Sequence, residues 1–452
     1  MTEKSDKSKN ILHITPHLGG GVGSVVLNWM EKDPSSNVHT IISLDQNNNK
    51  DWINVNDERE RVTIYNDCYT KEGFKEFLQK NIEKSDIIVI HWWNHPLLYD
   101  VMVNFKFPQC RVMIWNHVSS LFAPYSMSEK LVDFTDYLVF TSPVSYECEE
   151  IKALSAKKKE KLDVNWSTIG VESFENLERT PHEGFIVGYT GTVDFGKLNP
   201  NFIKLCAEVN IPDVKFVVCS GDSQKHLIDE AEKLGVSDRF SFEGRVPSVV
   251  PYLAKYDVFG YPLQPQNFAT CEQSIGEAMM AGAVPVVLNN PTENYIVKHM
   301  ETGLVAQSLE EYPKAIEYLY NNPDVLKRLA QNAKVFAKKQ YDIKQTIAKW
   351  NVLFDKVICL DKKERIWDVD LTPKISPSML YVESMGEYAK PFKNYINAQN
   401  SSEKTRAAKE IKELFDTNSM FYSKNKGSVL QYLSFFPEDK YLQEWSEILN
   451  EG

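Results

Sequence analysis

The stretch Asn267–Asn290, "NFATCEQSIGEAMMAGAVPVVLNN", reads as a loop, a short helix, a glycine stop and a buried strand. Thr270 followed three places later by Gln273 is a capping-box pattern, so the helix is expected to start near Cys271. Gly282 is the expected stop. A helix that opens straight after the loop "YPLQPQNFA" aims its free N–H groups and positive dipole end into the space above the strand ends. In open α/β sheets ligands bind in that space. Glu272 and Glu277 lie in this helix, roughly a turn and a half apart. A carboxylate at that end repels a phosphate but suits hydroxyl groups, which donate hydrogen bonds. A ligand with phosphate and many hydroxyls is a nucleotide sugar. The alternative is that both glutamates are ordinary first-turn helix residues.

Outward from this stretch the pattern repeats. "ILHIT", "HTIISL", "RVTIY", "SDIIVIHWW", "CRVMIWNH" and "DYLVFTS" are short apolar runs separated by helical or polar segments. Near Asn165 the pattern loosens into a linker, and a second series follows: "FIVGYTG", "VKFVVCSG", "FSFEG", "VFGYPL", "VPVVL". Runs of Val and Ile without polar alternation predict parallel sheets covered on both faces. From about Leu309 the chain turns helical, and after Asp361 the strands are expected to stop. This predicts a polar tail at 1–10, α/β domains at 11–180 and 181–345, a crossover helix region at 346–369 and a helical extension at 370–452.

The bulk numbers narrow the function. A chain of 452 residues with 42% hydrophobic content can build two cores. Its net charge of −11 lacks the basic excess of a nucleic-acid binder. The local patch Ala156–Lys161, "AKKKEK", is either a solvated helix face or a contact for an anionic membrane or glycolipid. Seven scattered cysteines with no C-x-x-C pair suggest neither a disulfide framework nor a zinc ribbon. The polar N-terminus and the short apolar runs lead to the expectation of a soluble, cytoplasmic protein.

The segment from Cys271 resembles the donor-site signature of retaining GT-B glycosyltransferases, above all glycosyltransferase family 4. Glu277, Ala278, Met279 and Gly282 fall in step with its Glu-Ala-Met-x-x-Gly, followed by Pro285, Val286, Val287, then Glu293 and Thr302, Gly303, Leu304. The resemblance implies two Rossmann-like domains facing a cleft, the first for the acceptor and the second for a nucleotide-sugar donor. It implies that Glu277 binds the ribose hydroxyls. The family's sugar-contacting glutamate falls at Ala269, so Glu272 takes over that contact or the backbone amides of Thr270 and Cys271 do. "GYTGTVDFGK" resembles the segment whose arginine and lysine hold the diphosphate; Lys197 matches the lysine, while Thr192 stands where arginine is usual. Arg245, in a loop resembling the one that lines the nucleobase pocket, is the candidate replacement.

In the first domain "GGGVGS" is either a tight strand-to-helix turn or, through Gly20 and Gly21, a place where backbone approaches the diphosphate or the acceptor. It lacks the third glycine of the dinucleotide fingerprint. His117, at a strand end, matches the family histidine that contacts the donor sugar. His91 and His95 either shape the acceptor side or pack beside Trp92 and Trp93, whose rings stack on sugar or serve the core. No metal cluster and no cofactor are expected; "DVD" at Asp368–Asp370 lies in the helical tail region. The expectation is a retaining transferase acting on a glycan or lipid-linked acceptor, peripheral at the inner membrane face if the basic patch binds there. The rival expectations are a catalytically silent binding subunit and a sugar-nucleotide epimerase of the same fold.

Overall fold

The structure, a computed structural model, describes residues 8–46, 60–125, 127–174, 176–371, 374–425 and 427–450; residues 1–7 of the expected polar tail lie outside these. The chain forms two units: residues 1–165 with 346–452, and residues 166–345. The first unit is built on β1 (Asn10–Thr15), β2 (Val38–Ser43), β3 (Val62–Tyr65), β4 (Ile87–Trp92), β5 (Val112–Asn116), β6 (Tyr137–Phe140) and β7 (Leu162–Val164). They pair in the order β3-β2-β1-β4-β5-β6-β7, every pair parallel. Each residue of β4 and β5 is buried, as a sheet covered on both faces requires. Helix α1 (Gly20–Lys32) follows β1, and α2 (Pro96–Asn104) follows β4.

The second unit holds β8 (Phe185–Thr190), β9 (Val214–Cys219), β10 (Phe240–Gly244), β11 (Val258–Tyr261), β12 (Val284–Leu288) and β13 (Leu304–Ala306). Their order is β10-β9-β8-β11-β12-β13, again all parallel. Helix α3 (Gln273–Ala281) connects β11 to β12. Both sheets therefore reverse their order of strand addition once, between β1 and β4 in the first and between β8 and β11 in the second. Ligand crevices of open parallel sheets form outside the carboxyl ends of the strands at such a reversal.

Every apolar run read as a strand is one. Within the two parallel sheets the strands that went unread, β7 and β13, have three residues each and sit at sheet edges. One expectation is corrected: strands do not stop after Asp361. Lys363–Arg365 pairs antiparallel with Phe107–Cys110, outside both sheets. "KER" has no apolar signature; it is drawn in because Arg365 forms a buried ion pair with Asp136. The C-terminal residues do form helices, α4 (Ile343–Val357), α5 (Pro377–Ser384), α6 (Lys390–Asn397), α7 (Ser401–Phe415), α8 (Val429–Phe435) and α9 (Lys440–Asn450). Leu380, Tyr381, Phe392, Phe415, Tyr432 and Trp445 from α5 to α9 share one apolar core with Ile88, Ile90, Trp92 and Leu98. They are a wall of the first unit, with α5 and α8 packed on α2. Among the described residues no helix is long and apolar enough to cross a membrane.

Candidate functional site

At the reversal point of the second sheet the loops after β8 and β11 are stitched together. Leu198 and Leu263 form an antiparallel bridge, Gln264 donates its amide to the carbonyl of Lys197 at 2.9 Å, and Asn199 donates to that of Pro262 at 3.0 Å. This brings Lys197, after β8, to Glu272, after β11: Nζ to Oε2 is 2.7 Å, with both side chains nearly buried. Tyr261 donates its hydroxyl to the same Oε2 at 2.5 Å. The Lys197 ammonium also lies 5.6 Å from the ring centre of Tyr261 and 5.7 Å from that of Phe268. Two groups read separately in the sequence, one for phosphate and one for sugar, are thus each other's partners.

The expected capping box is not formed. Helix α3 begins at Gln273, its N-cap is Glu272, and the Glu272 side chain makes no capping bond. Stronger partners have taken the side chains: Glu272 goes to Lys197 and Tyr261, and Gln273 Nε2 donates to the carbonyl of Thr168 at 2.8 Å. Thr270 and Cys271 precede the helix and are buried; the Cys271 thiol points to the carbonyl of Ser167 at 3.6 Å. Gly282 ends the helix in the left-handed conformation, φ 85°, as read. Ala269 is buried, with its amide on the Asn267 side chain and its carbonyl accepting from Thr292 Oγ1 at 2.7 Å.

Glu277 lies a turn into α3. Its side chain is half-buried, it accepts no hydrogen bond among the described residues, and loss of surrounding water raises its pKa to about 7. Glu293, the first residue of the short helix Glu293–Ile296 after β12, is wholly buried. Its Oε1 accepts from Asn290 Nδ2 at 3.0 Å and its Oε2 has no partner among the described residues. Burial, opposed by the Asn290 bond and aided by the charge of Glu272, raises its pKa to about 8. Tyr261 and Glu293 were not read as site residues. Tyr261 sits in an apolar strand where an aromatic ring signals core. Glu293 was visible as part of the signature, with no pattern to give it a task. Arg245 follows β10 and is exposed on the same carboxyl edge, two strands out from β8, beside Gly221.

The remaining read residues belong to the first unit. Gly20 and Gly21 are the exposed first residues of α1, directly after β1. Gly23, in contrast, is pressed so closely on Leu18 that an added Cβ would stand 1.9 Å from its carbonyl oxygen. His117 follows β5 and is hydrogen-bonded to His91 at 3.1 Å. His95 caps α2, its Nδ1 accepting from the Leu97 amide at 3.3 Å. Trp92 is core, and Trp93 retains 9% exposure.

Comparison with known proteins agrees with this fold. Residues 172–336 match the family model of glycosyl transferases group 1. No curated protein matches the chain. Among solved structures it is similar to Anabaena Alr3699/HepE in complex with UDP, with TM-score 0.61, 14% identity, and 77% of this chain and 100% of that one covered. A glycosyltransferase from Rickettsia africae ESF-5 gives TM-score 0.62 and 12% identity over 78% of this chain and 99% of that one. Sucrose-phosphate synthase from Thermosynechococcus elongatus gives 0.58 and 14% over 77% and 99%. At such identities the likeness concerns the fold, which is GT-B: two Rossmann-like units with parallel sheets. The group 1 match covers most of the second unit, including Lys197, Glu272, Glu277 and Glu293.

Proposed function

We propose that this chain is a retaining glycosyltransferase that moves a sugar from a nucleotide-sugar donor to a hydroxyl of a glycan, glycolipid or polysaccharide precursor. Glu277 carries the reading: a desolvated carboxylate without a hydrogen-bond donor among the described residues, inside the family-matched segment, on the helix that opens at the sheet's reversal point. Two adjacent ribose hydroxyls supply the donors it lacks. Lys197 and the first amides of α3 hold the diphosphate, Lys197 exchanging Glu272 for a phosphate oxygen as the donor enters. Glu272, freed by that exchange, and the amides of Thr270 and Cys271 serve the donor sugar. Arg245 serves the nucleobase side. In the first unit His117 meets a substrate hydroxyl, and Gly20 and Gly21 let backbone approach substrate. The departing phosphate takes the acceptor's proton, so the step needs no protein base. No cofactor or metal enters this reading, and activity is expected to survive a chelator. Peripheral contact with an anionic membrane would use Ala156–Lys161, where Lys158 exchanges its pairs with Glu129 and Asp133, at 2.7 Å each, for lipid headgroups.

UDP and UDP-glucose are the first ligands to test, because HepE has been solved with both. Titration calorimetry should show binding to the native protein that strengthens from pH 6 to pH 8 as Glu277 ionises. Glu277→Ala should lose about 10- to 100-fold for both ligands, the worth of hydrogen bonds to a charged group, with its melting temperature retained. Native-like affinity in that variant would sink the assignment. A second reading, a silent nucleotide-sugar binder, is favoured by the Lys197–Glu272 pair, which leaves the phosphate-binding cation neutralised. Donor hydrolysis in the absence of acceptor separates the two: an enzyme releases nucleoside diphosphate and a binder does not.

A further inference from the structure

Four of the nine histidines stand in one diagonal row across the first sheet. His39 lies on β2, His13 on β1, His91 on β4, and His117 just past β5. The strand register puts His39 level with Ile11, His13 level with Val89, and His91 level with Trp115. Each histidine is thus two residues nearer the carboxyl edge than the one before. A step of two keeps all four on the same face of the sheet. Their rings join end to end: His39 Nδ1 to His13 Nε2 at 3.0 Å, His13 Nδ1 to His91 Nε2 at 3.0 Å, and His91 Nδ1 to His117 Nε2 at 3.1 Å. At the far end His39 Nε2 meets Asp33 Oδ2 at 3.0 Å.

Burial leaves these rings little choice of partner. His13, His39 and His91 are 0% exposed and Asp33 is 1% exposed, while His117 keeps 9%. Trp29 packs edge-on against His13 and His39, and Trp115 packs against His91 and His117. Asp33 also accepts from the amide and hydroxyl of Ser35 at 2.9 and 2.8 Å, and Arg61 donates to its carbonyl at 3.0 Å. Burial alone would raise the Asp33 carboxyl, but the bonds from His39 and Ser35 outweigh it and hold the group below its ordinary range. Burial, then repulsion between neighbouring rings, holds His13 and His117 neutral.

A row in which each imidazole carries a single proton has one donor for each link, so its direction is decided at one end. An ionised carboxylate only accepts. His39 must therefore carry its proton on Nε2, which leaves Nδ1 bare; His13 must then carry its proton on Nε2, and so must His91 and His117. We propose that Asp33, His39, His13 and His91 are positioning residues that hold His117 in the Nε2–H tautomer. In that tautomer His117 presents a bare Nδ1 at the carboxyl edge of the sheet, as the acceptor for a hydroxyl of the sugar-bearing substrate. That the hydroxyl belongs to a sugar rests on the function proposed above; the tautomer does not. A histidine fixed in this way accepts from hydroxyls and turns away bare acceptor atoms such as phosphate oxygens, so the row selects which part of a substrate can lie there.

Full-length protein labelled with 15N-histidine tests it, because long-range 1H–15N correlations tell a bare ring nitrogen from a protonated one. At pH 7.5 the native His117 should show bare Nδ1 and protonated Nε2. Protonated Nδ1 in the native protein overturns the proposal, whatever the variants do. In Asp33→Asn the side chain can donate or accept, so both chain directions become available. The His117 nitrogens, four hydrogen bonds away, should shift toward a mixture of tautomers while the rest of the spectrum stays dispersed. An unchanged His117 in a folded Asp33→Asn variant also overturns it. For transfer, Asp33→Asn should lose about tenfold or more in kcat/KM, as with other groups that orient a ligating histidine, and should lose nothing further in a His117→Ala background. Additive losses count against the relay. If the native protein transfers no sugar, the functional reading fails and the spectra still decide the tautomer.

Discussion

At the scale of single residues the site is poised around one ion pair. Lys197 and Glu272 are nearly out of water, so removing either partner leaves the other charge uncompensated. Glu272→Ala should therefore cost the empty protein about 3 kcal/mol. Saturating UDP should return much of this, because a phosphate takes the place of the missing carboxylate. Thermal melts with and without UDP check it: the ligand-induced rise should be larger in the variant than in the native protein, and an equal rise would mean that Lys197 never meets the ligand. The sequence made Glu277 legible because its neighbours form a dense signature. It could not reveal that Glu272 and Lys197 bond to each other, because they come from different loops and no local spacing encodes contact between them. The histidine row was hidden for a related reason. Each histidine looks isolated within its own strand, and only the register of four strands aligns them.

At the scale of elements the strands were legible wherever burial on both faces produced an unbroken apolar run. They were illegible where three residues at an edge, or the charged "KER", paired for reasons outside their own composition. Helix α3 shows the same division. Its glycine stop is a backbone requirement written in one residue, whereas its start was misread by two residues because its side chains bond across the fold. The helix also carries an internal glycine, which ordinarily costs about 1 kcal/mol relative to alanine. The reason is contact: a Cβ on Gly276 would stand 2.7 Å from the buried ring of Tyr341. Gly276→Ala, a gain in helix propensity, should nonetheless destabilise the second unit by about 1–3 kcal/mol through overpacking. Urea unfolding followed by amide exchange in α3 measures this, and a stabilised variant would refute it.

At the scale of the whole molecule the two units respond to acid with opposite sign. His13, His91, His95 and His117 are held below their ordinary pKa by burial, His91 at about 3. Once unfolded they bind protons near pH 6.5. Below that pH the unfolded first unit binds more protons than the folded one. It loses about 1.4 kcal/mol of stability per pH unit for each ring that stays neutral. Glu277 and Glu293 are raised to about 7 and about 8. Between roughly pH 4.5 and 8 the folded second unit keeps protons that its unfolded form has released, so its stability rises as pH falls through that window. Hydrogen exchange at pH 8 and pH 5.5, corrected for intrinsic rates, should show protection falling in β4 and rising in β11 and β12. Movement of both in the same direction would contradict this account. None of it could be read from composition, because it depends on which titratable groups the fold deprives of water.

The first unit is completed by α5 to α9, which arrive more than two hundred residues after its last sheet strand. On the ribosome the second unit has its whole sequence once residue 345 emerges, while the first must wait, its core open, for Tyr381, Phe392 and Trp445. The order of maturation therefore runs against the order of translation, and the early segment is the one that needs protection from aggregation. Chains arrested after residue 345 should yield a protease-resistant 166–345 fragment and a readily digested 1–165 segment. Resistance of the early segment in those arrested chains would show that it matures without its late wall.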